Sequence, residues 1–101
     1  MEPWETRSPD LVADVRLYSP EEGGKKEPVR LGYFPPCFPA KDTAVGGWDA
    51  RMQLGDQAFE PGTTRRVGFV FISEESAEAA KKAGRFFLWD GRFVGEAKVV
   101  S

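Results

Sequence analysis

Apolar and polar residues alternate along several short segments of this chain, and a period of two is typical of β-strands with one buried face. In residues 11–18, four apolar side chains share one face, while Asp14 and Arg16 lie on the other. Residues 63–72 form the strongest such segment, because β-branched and aromatic residues dominate it. The pattern predicts six strands, over residues 11–18, 29–34, 48–54, 63–72, 85–89 and 93–100.

Glycine and proline mark the breaks between these strands. Gly23–Gly24 forms a turn after the first strand, and Asp90–Gly91 joins the last two strands in a predicted hairpin. The prolines within residues 35–39 are expected to end the second strand, since proline cannot donate to a strand ladder. Residues 37–47 have no clear period, so we expect irregular or edge-like structure there.

One segment has helical character. Ser73 is a typical N-cap, two glutamates follow it, and two lysines lie just before Gly84. This arrangement predicts a short helix near residues 74–82. Six strands with turns between them indicate an all-β sandwich or small closed barrel, and closure would remove exposed strand edges. A length of 101 residues favours one domain over residues 10–101, with residues 1–9 as a flexible N-terminal leader.

Composition excludes several classes of protein. Fourteen Lys and Arg residues against sixteen Asp and Glu give a net charge of −2, which argues against general affinity for nucleic acid. No apolar run approaches the length of a membrane helix, and the acidic opening residues do not resemble an export signal. A single cysteine, Cys37, cannot form an internal disulfide, which favours a cytoplasmic location.

Candidate catalytic groups are sparse. The chain has no histidine, so Cys37 lacks the usual partner that activates a nucleophile. The pairs Glu21–Glu22 and Glu74–Glu75 are adjacent in sequence, and turn and helix-start roles explain both. No calcium-loop spacing or phosphate-binding glycine loop occurs. We therefore expect no enzymatic activity, no metal site, no cofactor and no GTP binding.

Aromatic residues exceed what the interior of one small barrel needs, so some are expected to cover its outside. Such a surface would serve as a docking face for another protein or for self-association. The residues concerned are Phe34, Phe38, Trp48, Phe59, Phe69, Phe71, Phe86, Phe87, Trp89 and Phe93.

Several motifs occur in an order that resembles the third, C-terminal β-barrel domain of elongation factor Tu and its relatives. The resemblance covers about residues 10–100, nearly the whole chain. In place of the family's arginine this chain has Phe34. The matching motifs are Glu21-Glu22-Gly23-Gly24-Lys25, Gly32-Tyr33-Phe34-Pro35, Phe59-Glu60-Pro61-Gly62 and Gly91-Arg92-Phe93-Val94-Gly95.

The resemblance implies a six-stranded antiparallel, Greek-key-like closed barrel that does no chemistry itself. In that family the domain packs against a GTP-binding domain, contacts aminoacyl-tRNA and meets the nucleotide-exchange partner. If this barrel closes as in the family, the loops after the first and fifth strands approach each other. The residues that would form a site there are Lys25, Lys26, Tyr33, Phe34, Trp89 and Arg92.

Two functional hypotheses follow. The leading one is a non-catalytic protein-interaction domain linked to translation. The alternative is a module that contacts RNA resembling tRNA, with Lys25, Lys26 and Arg92 on the phosphates and nearby aromatic rings available for stacking.

Overall fold

The computed structural model describes residues 7–101, and in that range the chain forms six β-strands and one α-helix. Two short 3-10 helices, Pro20–Glu22 and Thr43–Val45, lie in the loops after the first and second strands. The main elements are β1 (Leu11–Leu17), β2 (Pro36–Phe38), β3 (Trp48–Gln53), β4 (Thr64–Phe71), α1 (Glu74–Ala83), β5 (Arg85–Trp89) and β6 (Phe93–Val99).

The strands close into a barrel in the order β1-β4-β3-β2-β5-β6, and each neighbouring pair is antiparallel. The first strand is central to closure, because it pairs with β4 on one side and with β6 on the other. Leu11 lies opposite Phe69 of β4, and Leu17 lies opposite Gly95 of β6. The closed barrel and its antiparallel strands confirm the fold class expected from the sequence.

Side chains from alternate strand positions fill the interior of the barrel. The burial pattern of β1 alternates along its whole length, as its period of two predicts. Phe59, Phe69 and Phe86 are the largest fully buried side chains. The rings of Phe69 and Phe86 meet edge to face with centroids 5.2 Å apart, a favoured geometry for aromatic pairs.

The helix α1 begins and ends where its capping residues predict. The Ser73 hydroxyl accepts a hydrogen bond from the Ser76 amide at 3.1 Å, and Gly84 adopts a left-handed conformation with φ of 75°. Ala77 and Ala80 are buried, so these small side chains let the helix pack closely on the strands beneath it. The helix thereby links the end of β4 to the start of β5.

The predicted second strand over residues 29–34 is wrong. Val29 forms only an isolated bridge with Phe59, and Leu31 is 51% exposed. The second strand is instead β2, which begins at Pro36 and lies between β3 and β5. Proline is tolerated as the first residue of a strand, so the prolines precede this strand rather than ending one. Cys37, expected in irregular structure, is fully buried and pairs with both neighbours.

Aromatic side chains also form a cluster on the outside of β2, β5 and β6, as the aromatic excess predicted. Phe93 meets Phe38 and Trp89 at centroid distances of 6.0 and 5.0 Å, and all three are half-buried. A Cβ on Gly47 would collide with the Phe38 ring, so the loop after β2 lies directly on this cluster. Part of the aromatic surplus is therefore covered by the chain itself.

The predicted N-terminal leader falls mainly on residues 1–6, which lie outside the described residues. Beyond them, the Arg7 carbonyl accepts a hydrogen bond of 2.8 Å from the Gln53 side chain on β3. Pro9 lies against Gly68 of β4, at a distance that leaves no space for a larger residue there. Arg7 and Pro9 therefore contact the barrel.

Candidate functional site

The loop after β1 is held by its own side chains. Ser19 and Glu22 form a capping box, in which each side chain bonds to the backbone of the other. Glu22 also pairs with Arg16 at 3.0 Å, and these contacts hold the pKa of its carboxyl below the ordinary value, with the Ser19 backbone hydrogen bond as the main cause. Gly24 lies so close to the Tyr18 carbonyl that a Cβ would collide with it. The path of this loop is therefore closely defined.

Arg92 of the β5–β6 hairpin joins that hairpin to the loop. Its Nε donates to the Gly23 carbonyl at 2.5 Å, and its Nη2 donates to the Gly24 carbonyl at 3.2 Å. Gly23 can present its carbonyl in this way because it adopts a φ of 96°, which L side chains rarely adopt. The approach of the two loops, which the family resemblance implied, is present in the barrel.

A second link between the same loops is centred on Asp90. The Lys25 Nζ lies 2.6 Å from its carboxylate, and the Tyr33 hydroxyl donates to the same oxygen at 3.0 Å. The hydrogen bond from Lys25 is the largest cause of a lowered Asp90 pKa. Burial, reinforced by the negative charge of Asp90, raises the pKa of Tyr33. Asp90 therefore stays ionised and neutralises Lys25 directly.

A cleft of about 380 Å³ lies between the loop after β1 and the β5–β6 hairpin. Three cations and two carboxylates leave it with a net charge of +1. Within residues 7–101, the Lys26 side chain forms no ion pair or hydrogen bond. We call this the loop–hairpin cleft, and it is formed by Lys25, Lys26, Glu27, Pro28, Asp90 and Arg92.

Of the predicted site residues, the structure brings Lys25, Lys26 and Arg92 into this cleft, whereas Trp89 and Phe34 do not line it. Tyr33 reaches the cleft through Asp90, and Trp89 precedes Asp90 while its ring packs on Phe93. Phe34 lies elsewhere: the Arg51 guanidinium is 4.9 Å from its ring centroid, on the outside of β3. Phe34 therefore lines a different surface from the loop–hairpin cleft.

Phe34 contributes to a second surface feature, an apolar groove of about 300 Å³. Ile72, just beyond β4, is 70% exposed, and Phe34 is 41% exposed. Exposed apolar side chains that share one groove are typical of docking surfaces in soluble proteins. We call this the β3–β4 groove, and it is lined by Phe34, Arg51, Val70, Phe71 and Ile72.

Sequence reasoning missed Asp90 and Ile72 as site residues. The sequence marks Asp90 only as a turn residue, and its ion pair with Lys25 lowers the positive charge of the cleft. Ile72 ends the outward-facing row of the fourth strand, which contains Arg66, Gly68 and Val70. The nearly apolar character of that row was the available signal for an outward-facing surface.

Removal of the Asp90 charge is expected to lower the free energy of unfolding slightly, by an amount that depends on pH. Asp90→Asn keeps a favourable Asn-Gly turn but loses the ion pair with Lys25. Because the pKa of Asp90 is lowered, its stabilising effect is present above the ordinary value of 3.8 and is lost as pH falls through the folded value. The carboxylate is 41% exposed, so we expect a loss of about 1 kcal/mol or less at pH 7.

Urea unfolding of both forms between pH 7 and pH 2 checks this expectation. The two free energies of unfolding should converge as the pH falls below 3.8. A gap that is constant across this range would contradict a role for the ionised carboxylate.

Cys37 is the one nucleophilic thiol in the sequence, and it is fully buried. Burial, with a smaller contribution from the charge of Asp49, raises its pKa well above the ordinary value. A protonated, inaccessible thiol is a poor nucleophile. Among residues 7–101, no group of three or more His, Cys, Asp or Glu side chains is arranged to hold a metal ion.

The chain matches no protein-family model and no curated protein at a significant level. Its structure defines its class: a mostly β protein built as a closed, six-stranded antiparallel barrel with one short helix. In the part of the chain that the structure describes, no helix is long and apolar enough to span a lipid bilayer.

Proposed function

We propose that this chain is a non-catalytic protein-interaction domain of the cytoplasm, related to the C-terminal barrel of elongation factor Tu and linked to translation. The observation that carries the proposal is the β3–β4 groove, whose lining includes the exposed side chains of Ile72 and Phe34. Full burial of a large apolar side chain is worth about 1.5–3 kcal/mol relative to full exposure. A partner surface that covers the exposed parts of these side chains therefore gains affinity.

The groove favours a protein as its occupant. Its lining is mainly apolar, and the Arg51 guanidinium over Phe34 places one cation beside the apolar surface. A protein segment that carries an exposed apolar side chain complements this lining. The resemblance to elongation factor Tu supports the same conclusion, since the outer surface of that barrel docks onto neighbouring domains.

The alternative, an RNA-contacting module, has less support. Lys25, Lys26 and Arg92 do converge in the loop–hairpin cleft. Asp90 neutralises Lys25, however, and Glu27 lines the same cleft. Affinity for a phosphate backbone grows with the number of cations that displace counterions, and a net charge of +1 supplies little.

Ile72→Asp tests the docking function, because it places a charge in the groove at a position that is 70% exposed. Val45→Asp is the matched control, since Val45 is 52% exposed and lies outside the groove. The wild type and both variants are each immobilised on beads as baits and incubated with extract of the source cell. Bound proteins are then quantified by mass spectrometry. We expect a translation component to bind the wild type and the control, with at least about tenfold less on Ile72→Asp, as for other interface hot spots.

Recovery of the same proteins on all three baits would contradict docking through this groove. Sedimentation of the purified forms identifies one further occupant, a second copy of the chain. Concentration-dependent dimers that disappear only in Ile72→Asp would show that the groove serves self-association and not a separate partner protein.

A further inference from the structure

The loop–hairpin cleft is a second charged surface, separate from the β3–β4 groove. Lys25, Lys26 and Arg92 line it, and only Lys25 has a carboxylate partner within residues 7–101. Arg92 bonds to two neutral carbonyls, which fix its guanidinium without neutralising it. Two cations therefore face this cleft with their charges uncompensated by a direct ion pair.

The cleft is also preorganised. The capping box of Ser19 and Glu22 defines the loop, and Arg92 ties the loop to the hairpin. Lys25 and Tyr33 hold the other side through Asp90. Because Arg92 is already held in place, only the Lys26 side chain has to be ordered when an anion binds both cations.

We propose that the loop–hairpin cleft binds an acidic segment of a protein partner, with a carboxylate of that segment engaging Lys26 and Arg92. Arg92 is suited to this contact because a guanidinium donates several charge-assisted hydrogen bonds, and its carbonyl contacts use only part of that capacity. Asp90 and Glu27 line the same cleft and repel anions, so the partner carboxylate is confined to the side that Lys26 and Arg92 form. The inference rests on the proposed protein-interaction function and names the chemistry of one contact.

Nuclear magnetic resonance titration of the full chain tests this contact directly. The probe is a capped hexaglutamate peptide, and capped hexaglutamine is its uncharged control. We expect saturable amide shifts concentrated at residues 23–27 and 90–92, which the glutamine peptide does not produce. Binding should weaken markedly between low salt and about 0.15 M salt, because exposed ion pairs are screened.

Lys26→Glu is the informative variant, since its side chain forms no ion pair or hydrogen bond within residues 7–101. We expect about five- to tenfold weaker hexaglutamate binding in low salt, in line with the loss and reversal of an exposed ion pair. Lys82→Glu on α1 makes the same charge change away from the cleft and should leave binding unchanged. Arg92→Lys keeps the charge but loses the planar donors, and should also weaken binding.

Three outcomes would overturn the proposal: absence of saturable shifts, shifts spread over all basic residues, or equal effects of Lys26→Glu and Lys82→Glu. A parallel titration with tRNA adds a fourth. Tighter binding to tRNA than to hexaglutamate, with a steep salt dependence and the same shifted amides, would assign the cleft to phosphates. The groove experiment with Ile72→Asp is independent of these results, so failure of the cleft and failure of the docking function remain distinguishable.

Discussion

Phe86→Ala is expected to lower the free energy of unfolding by about 3–5 kcal/mol, the range for truncating a buried phenylalanine. Phe86 is fully buried, and its ring lies 5.2 Å from Phe69 and 6.2 Å from both Phe71 and Trp48. Its removal leaves a cavity among these rings, since a closed barrel cannot collapse freely around it. Urea denaturation followed by tryptophan fluorescence measures the loss.

Phe34→Ala is the control for this experiment, because Phe34 is 41% exposed and lies outside the barrel interior. Its loss of stability should be about 1 kcal/mol or less. The melting temperature of Phe86→Ala should fall by at least about 12 °C, given the usual relation for a domain of this size. Equal losses in the two variants would contradict the position of Phe86 at the centre of the core.

Gly24→Ala is expected to destabilise the protein by about 3 kcal/mol, near the upper end of the cost of forcing atoms into a packed region. The added Cβ would collide with the Tyr18 backbone carbonyl, which cannot move aside as a flexible side chain can. Because the Gly24 carbonyl also accepts from Arg92, the link between the loop and the hairpin should loosen. Denaturation gives the cost, and amide shifts at residues 90–92 report the loosening.

A comparison with Gly23→Ala distinguishes the cost of atomic overlap at Gly24 from the cost of backbone strain. Gly23→Ala meets no atom within 4 Å, but it forces alanine into a φ of 96°. Strain of that kind costs about 1–2 kcal/mol, so this variant should be less affected than Gly24→Ala. A Gly24→Ala variant as stable as the wild type would show that the loop follows another path.

Local alternation was sufficient to predict five of the strands and the helix. In β1, β4 and β6 the side chains that face the barrel interior follow the apolar positions of the sequence. The predicted helix agrees with α1 because capping is a local interaction between residues three or four positions apart. Such features depend on near neighbours in the chain, so they can be inferred without the fold.

The second strand could not be inferred in this way. Val29, Leu31 and Tyr33 alternate well, yet the strand in the barrel is the proline-led segment Pro36–Phe38. This short strand exists because β3 and β5 flank it and supply its partners. Tertiary pairing outweighed the local pattern, since β-propensity depends strongly on context.

The candidate sites likewise combine features that the sequence reveals with features that only the folded barrel reveals. Basic residues near Gly24 and in the last hairpin were visible in the sequence, and the family resemblance suggested that their loops meet. The neutralisation of Lys25 by Asp90 joins residues 65 positions apart, and the exposure of Ile72 depends on what surrounds the end of β4. Neither has a local signature.

The sequence by itself determined which side chains face inward along most strands, where the helix is capped, and that the apolar content exceeds what one lumen holds. These properties follow from chain periodicity and from contacts between near neighbours. Only the tertiary structure decided that β2 closes the barrel, that the surplus aromatic rings are partly covered by a loop, and that Phe34 and Ile72 share a groove. Each of these depends on contacts between residues distant in the chain, which form only when the barrel closes.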